Sequence, residues 1–421
     1  MMRATIQIVS YLALVLTVCD LLGAENWTRF RGPNGQGISS EVNLPVTWSA
    51  EDNVAWKTSI AGKGWSSPIV YDEHVFLTAT TDEGVSCQVI CVNRKDGSVA
   101  WQTEVHRQKP GTKRRQNSYA TPTPVTDGTR VYAVFYDGTV VAVDFSGNLV
   151  WKNSEVKFFS LHGLGASPVL AHGQLIMPFD GSSREETRIG FKVPWRHAVV
   201  LSLDAASGAV RWKGKRGESR VGHVTPILVD GGAQLVSAGG DRVQGFDART
   251  GKRIWSIYSR GEGVTPSPVV ADGLIITSSG FEAPTLRAIR LGGKGDVTKT
   301  HIAWEQKKGV PALASPLYVT PHVYTITRDN ILHCIEASTG QVVWVHRLTG
   351  VHSASPVLAD GKIYILSEDG VTLVLRPGPR YDEIARNKID DRCLASMAVS
   401  QGHFYIRSSK RLYSIGASSD R

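Results

Sequence analysis

Two stretches decide the fold: Asp204-Ala205-Ala206-Ser207-Gly208-Ala209-Val210-Arg211-Trp212 and Asp247-Ala248-Arg249-Thr250-Gly251-Lys252-Arg253-Ile254-Trp255. Each sets a Ser/Thr-Gly turn just before a short apolar run that ends in Trp. Further copies are Asp96-Gly97-Ser98-Val99-Ala100-Trp101, Gly147-Asn148-Leu149-Val150-Trp151 and Thr339-Gly340-Gln341-Val342-Val343-Trp344, and Trp304 ends another. A unit that recurs like this marks a repeat architecture, which has to be settled before any local reading.

A second signal precedes each Trp unit. Ser or Thr followed by Pro and an apolar run occurs at Ser67-Pro68, Thr123-Pro124, Ser167-Pro168, Thr225-Pro226, Ser267-Pro268, Ser315-Pro316 and Ser355-Pro356, with a degenerate eighth copy at Ser396-Met397. The spacings of 56, 44, 58, 42, 48, 40 and 41 residues are about what a four-stranded propeller blade needs. Between the signals lie alternating runs such as Val131-Tyr132-Ala133-Val134-Phe135 and Lys362-Ile363-Tyr364-Ile365-Leu366, broken by the hairpin turns Asp137-Gly138 and Asp369-Gly370. Pro is tolerated at the first residue of a strand because it need not donate to the ladder there. The 42 glycines suit many short strands joined by tight turns.

The eighth repeat starts at Ser396 and runs one strand short, offering Phe404-Tyr405-Ile406 and Leu412-Tyr413-Ser414-Ile415. At the front, Asn53-Val54-Ala55-Trp56-Lys57 has the Trp pattern with no blade before it. The expectation is therefore an all-β, eight-bladed β-propeller of four-stranded antiparallel blades over residues 53–416, closed by residues 53–58 completing the blade made by 394–416. Closure removes sheet edges that would otherwise invite aggregation. A small residue lies nine or ten positions before most tryptophans: Cys91, Ala142, Ser202, Gly245 and Cys334. Cys91 and Cys334 thus read as core fillers under an indole rather than redox groups. Cys87 and Cys91, roughly 13 Å apart along one strand, cannot bridge. The remaining spacings fit neither a disulfide framework, a zinc site nor haem attachment.

Residues 1–24 read as a signal peptide: Met1-Met2-Arg3, an apolar stretch from Ile6 to Val18, and Leu22-Gly23-Ala24. Val18 before Cys19 is a poor fit to lipoprotein processing, so no lipid anchor is expected, and the chain is assigned to the periplasm or the cell exterior. Residues 25–52 form a leader expected to pack on the propeller, and 417–421 a tail. The net charge of +9 is unchanged by removing residues 1–24, because Arg3 and Asp20 leave together. A basic exported protein meets acidic polysaccharide, anionic lipid or acidic protein; nucleic acid is not expected.

The unit Asp-Ala-x-Thr/Ser-Gly-x-x-x-Trp resembles the PQQ-like (quinoprotein-type) propeller repeat with its tryptophan-docking motif, over residues 53–416. The resemblance implies that Trp56, Trp101, Trp151, Trp212, Trp255, Trp304 and Trp344 stack between blades, the ring NH bonding backbone near the Gly. Two branches follow from it. Quinoprotein dehydrogenases hold pyrroloquinoline quinone (PQQ) on the axis with calcium and a catalytic Asp; Glu262 with Asn117 could imitate the calcium site, but no catalytic Asp matches and no adjacent cysteines occur. The other branch comprises non-catalytic propellers, including the BamB-like outer-membrane assembly propeller and exported planctomycete propellers. The leader Trp27-Thr28-Arg29-Phe30-Arg31-Gly32-Pro33-Asn34-Gly35-Gln36-Gly37, followed by Asn43-Leu44-Pro45-Val46-Thr47-Trp48, is similar to the latter.

One fold hosts many functions, so the site has to carry the function. Innermost strands line the axis, and the residues before each Ser/Thr-Pro should rim one mouth of the channel. Those residues are Trp65, Ser66, Asn117, Tyr119, His162, Arg220, His223, Glu262, His352 and Arg392. Eight blades converge there, offering donors, a carboxylate and stacking rings; three histidines could also bind a metal, although sequence fixes no distances and no metal site is assigned. Two excursions leave the blade pattern: the basic loop 107–115, which could meet an anionic envelope surface, and an insertion from Ser182 to Trp195 in the third blade. The expected function is a non-catalytic scaffold, a monomer, holding protein, peptide or glycan and needing no cofactor. The alternative is a PQQ- and calcium-dependent alcohol or sugar dehydrogenase.

Overall fold

The apolar runs form short strands, 33 of them among the described residues, where the helical turns are confined to Asp82–Gly84 and Asp230–Gly232. The structure, a computed structural model, describes residues 25–182, 196–217, 220–261, 264–281 and 283–417. The assigned signal peptide, nearly all of the 182–195 insertion, Glu262 and most of the tail fall outside the described residues.

The strands group into eight sheets, as the repeat count requires. Blades 1 to 7 follow one another along the chain at residues 69–107, 125–153, 169–215, 227–258, 269–306, 317–347 and 357–388. Blade 8 takes Ala398–Ser400, His403–Arg407 and Arg411–Ile415 from the end of the chain and Val54–Ser59 from the front. There Trp56 lies opposite Ser414 and Thr58 opposite Leu412 in an antiparallel ladder, so the front of the chain closes the ring. Blade 4 departs from the four-strand plan. Gly295–Asp296 adds to its outer strand Arg253–Tyr258 in parallel as a fifth, two-residue strand.

The spacing between small residue and Trp turns out to be a cross-strand register. Cys91 faces Trp101, Ala142 faces Trp151, Ser202 faces Trp212, Gly245 faces Trp255 and Cys334 faces Trp344, and a register shift follows at once in each pair. A bulge at this point increases the local twist of the outer strand. The indole is carried over the next blade: Trp151 lies on Gly208, where an added Cβ would stand 2.5 Å from the ring, and its Nε1 donates to Ala205 O at 3.0 Å. Trp56, Trp101 and Trp304 likewise donate to Arg94 O, Phe145 O and Ala337 O of the following blade, and Trp344 to Gly378 O. Trp212 stacks on Gly251, its Nε1 without a partner.

Trp255 corrects the expected pattern. Its ring folds back over Gly245 of its own blade and Nε1 donates to Gln234 Oε1 at 3.0 Å. In blade 5 the strands Leu286–Arg290 and Ile302–Gln306 are joined by the longer segment 291–301, part of which, Gly295–Asp296, pairs with the Trp255 strand, in place of the short Gly turn on which the other tryptophans stack.

Apolar side chains from adjacent blades share each core cluster. Phe76, Val89 and Cys91 of blade 1 pack with Val131, Phe135 and Val141 of blade 2. At the ring closure the leader contributes as well: Trp27, Leu44 and Trp48 join Val70, Tyr364, Phe404 and Tyr405 in one cluster. Trp27 pairs with Val70 of blade 1, Thr28 O accepts from Thr126 of blade 2, Gln36 Oε1 accepts from Val270 N of blade 5, and Ile38 bridges Leu358 of blade 7. The leader thus crosses one end of the ring, touching the innermost strands.

Candidate functional site

The Ser/Thr of each Ser/Thr-Pro signal has a purpose that sequence reading did not supply. Ser67 N donates to Thr123 Oγ1 at 2.9 Å, Thr123 N to Ser167 Oγ at 2.9 Å, and Ser167 N to Thr225 Oγ1 at 2.9 Å. Ser267 N continues to Ser315 Oγ, Ser315 N to Ser355 Oγ, Ser355 N to Ser396 Oγ, and Ser396 N returns to Ser67 Oγ at 3.1 Å. A hydroxyl accepts from the neighbouring blade where the following Pro has no N–H to offer. This hydrogen-bonded girdle around the axis is interrupted where Ser267 Oγ, buried, has no partner.

Above the girdle opens a cavity of about 670 Å³ lined by residues of all eight inter-blade segments. Phe30 of the leader lines it from the opposite end, so the channel is floored there and open at the rim. Of the residues expected at the rim, Trp65, Asn117, His162, His223 and His352 line this cavity together. Ser66 instead lies in the core, where Arg407 Nη1 donates to its Oγ at 2.5 Å. Tyr119 packs edge-on against Tyr136 and donates to Gly111 O at 2.8 Å. Arg220 sits beside Asp241, its carbonyl accepting from Gly240 N. Arg392 pairs with Glu368 at 2.7 Å behind the rim. These four do not line the cavity, which alternation alone could not specify. The structure also places residues that sequence reading missed: Phe30, Arg114, Phe281, Arg328 and Val351. None of these lies in the Ser/Thr-Pro or Trp signals that define the repeat.

The rim has two characters. On the side of blades 3 and 4, His162 Nδ1 and His223 Nε2 stand 3.4 Å apart, Asn117 Nδ2 donates to His162 O at 2.9 Å, and Arg114 is exposed nearby. Facing them from blade 7 is His352, 4% exposed, its Nδ1 buried without a partner; His223 Nδ1 is likewise buried and unpartnered. Between these lie Trp65 and Phe281, the latter 47% exposed with Arg328 over its ring at 5.5 Å. Burial lowers all three histidines: His162 to about 4, with Arg114 adding to the effect, His223 to about 3, with His162 adding, and His352 to about 4 against the opposing pull of Asp369 and Glu368. At neutral pH the rim therefore offers neutral imidazoles, an amide, two arginines and aromatic faces.

Such a lining can receive an extended polypeptide segment by hydrogen bonding and stacking. It does not fit a calcium-held quinone. Among the described lining residues there is no Asp or Glu, whereas calcium needs several oxygen ligands including carboxylates, and quinone chemistry needs a base. Glu262 lies outside the described residues. Among the described residues no cluster of three His, Cys, Asp or Glu side chains has metal-binding geometry.

A family model described as outer membrane protein assembly factor BamB matches residues 38–180, 193–294 and 296–376. The chain is similar to the outer membrane protein assembly factor BamB of Nitrosomonas eutropha, 26% identical over 294 residues, which covers 66% of this chain and 64% of that protein. It is similar also to that of Bordetella pertussis, 28% identical over 226 residues, covering 52% and 50%. The match thus spans less than two thirds of the length of these relatives. Among solved structures, BamB from Moraxella catarrhalis aligns with a TM-score of 0.60 at 15% identity, over 86% of this chain and all but 1% of that one. The quinohemoprotein alcohol dehydrogenase from Comamonas testosteroni gives 0.65 at 10% identity, over 94% and 81%. At such identities the structural likeness shows the fold, which both non-catalytic and catalytic proteins use.

Proposed function

Because the chain belongs to the family of outer membrane protein assembly factor BamB, we propose that it is an exported, non-catalytic propeller scaffold that holds a protein or peptide segment at its axial mouth during envelope protein assembly. The observation that carries this reading is the composition of the mouth: stacking rings, neutral imidazoles and an amide converge from separate blades, with no carboxylate among the described lining residues. These groups suit backbone amides and aromatic side chains of an extended segment, since rings stack without demanding one sequence and imidazole or amide groups take either end of a peptide hydrogen bond. The leader's Phe30 floors the channel, which supports contact at the rim rather than passage through it.

Photo-crosslinking in the producing cell tests this. A photoreactive residue at Phe281 or Val351, both exposed on the rim, should yield adducts with envelope proteins, and one at Leu149, exposed on an outer strand, should not. Equal adducts at all three positions, or none at the rim, would overturn the assignment. In parallel, purified protein mixed with PQQ and calcium should show no dye-linked oxidation of alcohols or sugars; turnover would favour the dehydrogenase branch instead.

A further inference from the structure

The leader that closes the channel carries two buried charges with no counter-charge among the described residues. Arg29 is 5% exposed and Arg31 2% exposed. Arg29 Nη2 donates to Pro226 O of blade 4 at 3.3 Å, and Arg31 Nη2 donates to Gln36 O at 2.7 Å and to Pro316 O of blade 6 at 2.6 Å. All of these acceptors are backbone carbonyls. Arg29 Nε and Arg31 Nε and Nη1 are buried with no partner, and among the described residues no carboxylate forms an ion pair with either guanidinium. The two also sit close enough that the charge of Arg29 acts on Arg31.

The rest of the fold shows what it does with other buried arginines. Arg216 is equally buried and has Asp180 at 2.5 Å. Arg287, also with unpaired donors, has Glu305 at 3.5 Å. Arg407 lacks an acid, but its Nη1 donates to Ser66 O, Ser66 Oγ and Thr78 O. Arg29 and Arg31 alone among these combine burial, mutual repulsion, unpaired N–H groups and the absence of an acid. Guanidinium does not deprotonate in proteins, and an uncompensated buried charge is strongly destabilising. Nor are these side chains free to swing out. The loop folds back on them so closely that a Cβ at Gly35 would stand 2.6 Å from Arg29 Nη2 and one at Gly37 3.0 Å from Arg31 Nη2.

We propose that a halide-sized anion, chloride in the cell envelope, is bound between Arg29 and Arg31 as their counter-ion and locks the leader across the end of the ring. The size follows from the enclosure: Phe30, between them in sequence, lines the open cavity, and neither arginine does. A larger ligand entering from the rim meets the phenyl ring first. The anion accepts from the unpaired Nε and Nη1 donors, which carbonyls have left vacant, and cancels the repulsion of the two cations.

Bromide reports on this site directly. Crystals of the full protein grown in bromide should show an anomalous peak within hydrogen-bond reach of Arg29 Nε and Arg31 Nε. At constant ionic strength, the melting temperature should rise with chloride or bromide relative to gluconate, and the rise should vanish in Arg31→Met. Bromide peaks only elsewhere, together with equal melting temperatures in chloride and gluconate, would overturn the proposal. So would a rise produced by sulfate and not by bromide, which would assign the site to an oxyanion. Should Arg31→Met fail to fold, the anomalous map of the unaltered protein still decides. Because this readout does not involve the rim, it stands or falls separately from the scaffold function.

Discussion

Replacing Gly208 by Ala tests the docking of one blade on the next. Gly208 has φ of +74°, and an added Cβ would meet Trp151 Cε3 at 2.5 Å, Cδ2 at 2.6 Å and Cζ3 at 3.1 Å. Three costs follow. The left-handed backbone costs a residue with a Cβ roughly 1–2 kcal/mol. Moving the indole forfeits the Trp151 Nε1 bond to Ala205 O, about 1 kcal/mol. Forcing a methyl into a packed contact adds about 1–3 kcal/mol. Together Gly208→Ala should lose about 3–6 kcal/mol. Gly273→Ala supplies the control: its φ is +80°, but an added Cβ meets nothing within 4 Å, so only the backbone cost of about 1–2 kcal/mol remains. Urea unfolding followed by tryptophan fluorescence measures both. The same Gly208 change made in a Trp151→Ala background should shrink to the backbone cost, since the coupling resides in the contact. Equal losses at Gly208 and Gly273, or no coupling with Trp151, would refute inter-blade docking as the stabilising contact.

The girdle predicts an asymmetry between two buried serines: Ser355→Ala leaves the Ser315 N–H unpaired and should cost about 1–3 kcal/mol in the same assay, whereas Ser267→Ala removes a hydroxyl that has no partner and should be nearly neutral. Asp180→Ala should cost about 3–5 kcal/mol because it strands Arg216 in the core, and replacing both residues with apolar side chains should cost less than the single change. The rim histidines set a pH dependence. Their folded values, lowered to about 3 and 4, lie below the roughly 6.5 of unfolded histidine, so the stability they contribute is whole above that pH and is lost as the pH falls through about 6.5 toward 4. Asp180, raised to about 6 by burial, acts the opposite way over the overlapping range, its contribution declining as pH rises from about 4 to 6. Imidazole titration by NMR separates the two: His223 should stay neutral at pH 5, and a midpoint near 6.5 there would contradict the burial argument.

The count of blades and the closing strand were both legible, because each Ser/Thr-Pro and Trp copy is local and its period sets the size of a sheet. The cross-strand partners of the tryptophans were half legible: the interval from Cys91 to Trp101 or Cys334 to Trp344 is a register, and a register is a distance along the chain. Trp255 departs from the pattern although its own segment is ordinary, because the difference lies in the next blade, where the longer connection 291–301 stands in place of the short Gly turn. The rim was legible as a set of segments but not as a set of side chains. Trp65, Asn117, His162, His223 and His352 turn inward while Ser66 and Arg392 do not, since inter-blade segments are irregular and lack the strict alternation that tells a strand's two faces apart.

What the amino-acid order determined by itself was the repeat: eight units, each unable to bury its own faces, must stack in a circle, and the indole and its Gly state how neighbours touch. What only the tertiary structure decided was everything on the axis. There Phe30 and the paired Arg29 and Arg31 arrive from a leader outside the repeat and meet carbonyls from blades almost two hundred or more residues away. Periodicity describes what one sheet does to its neighbour, and the centre of a ring is the place where all eight meet at once, so its charges and its shape depend on a closure that no single period encodes.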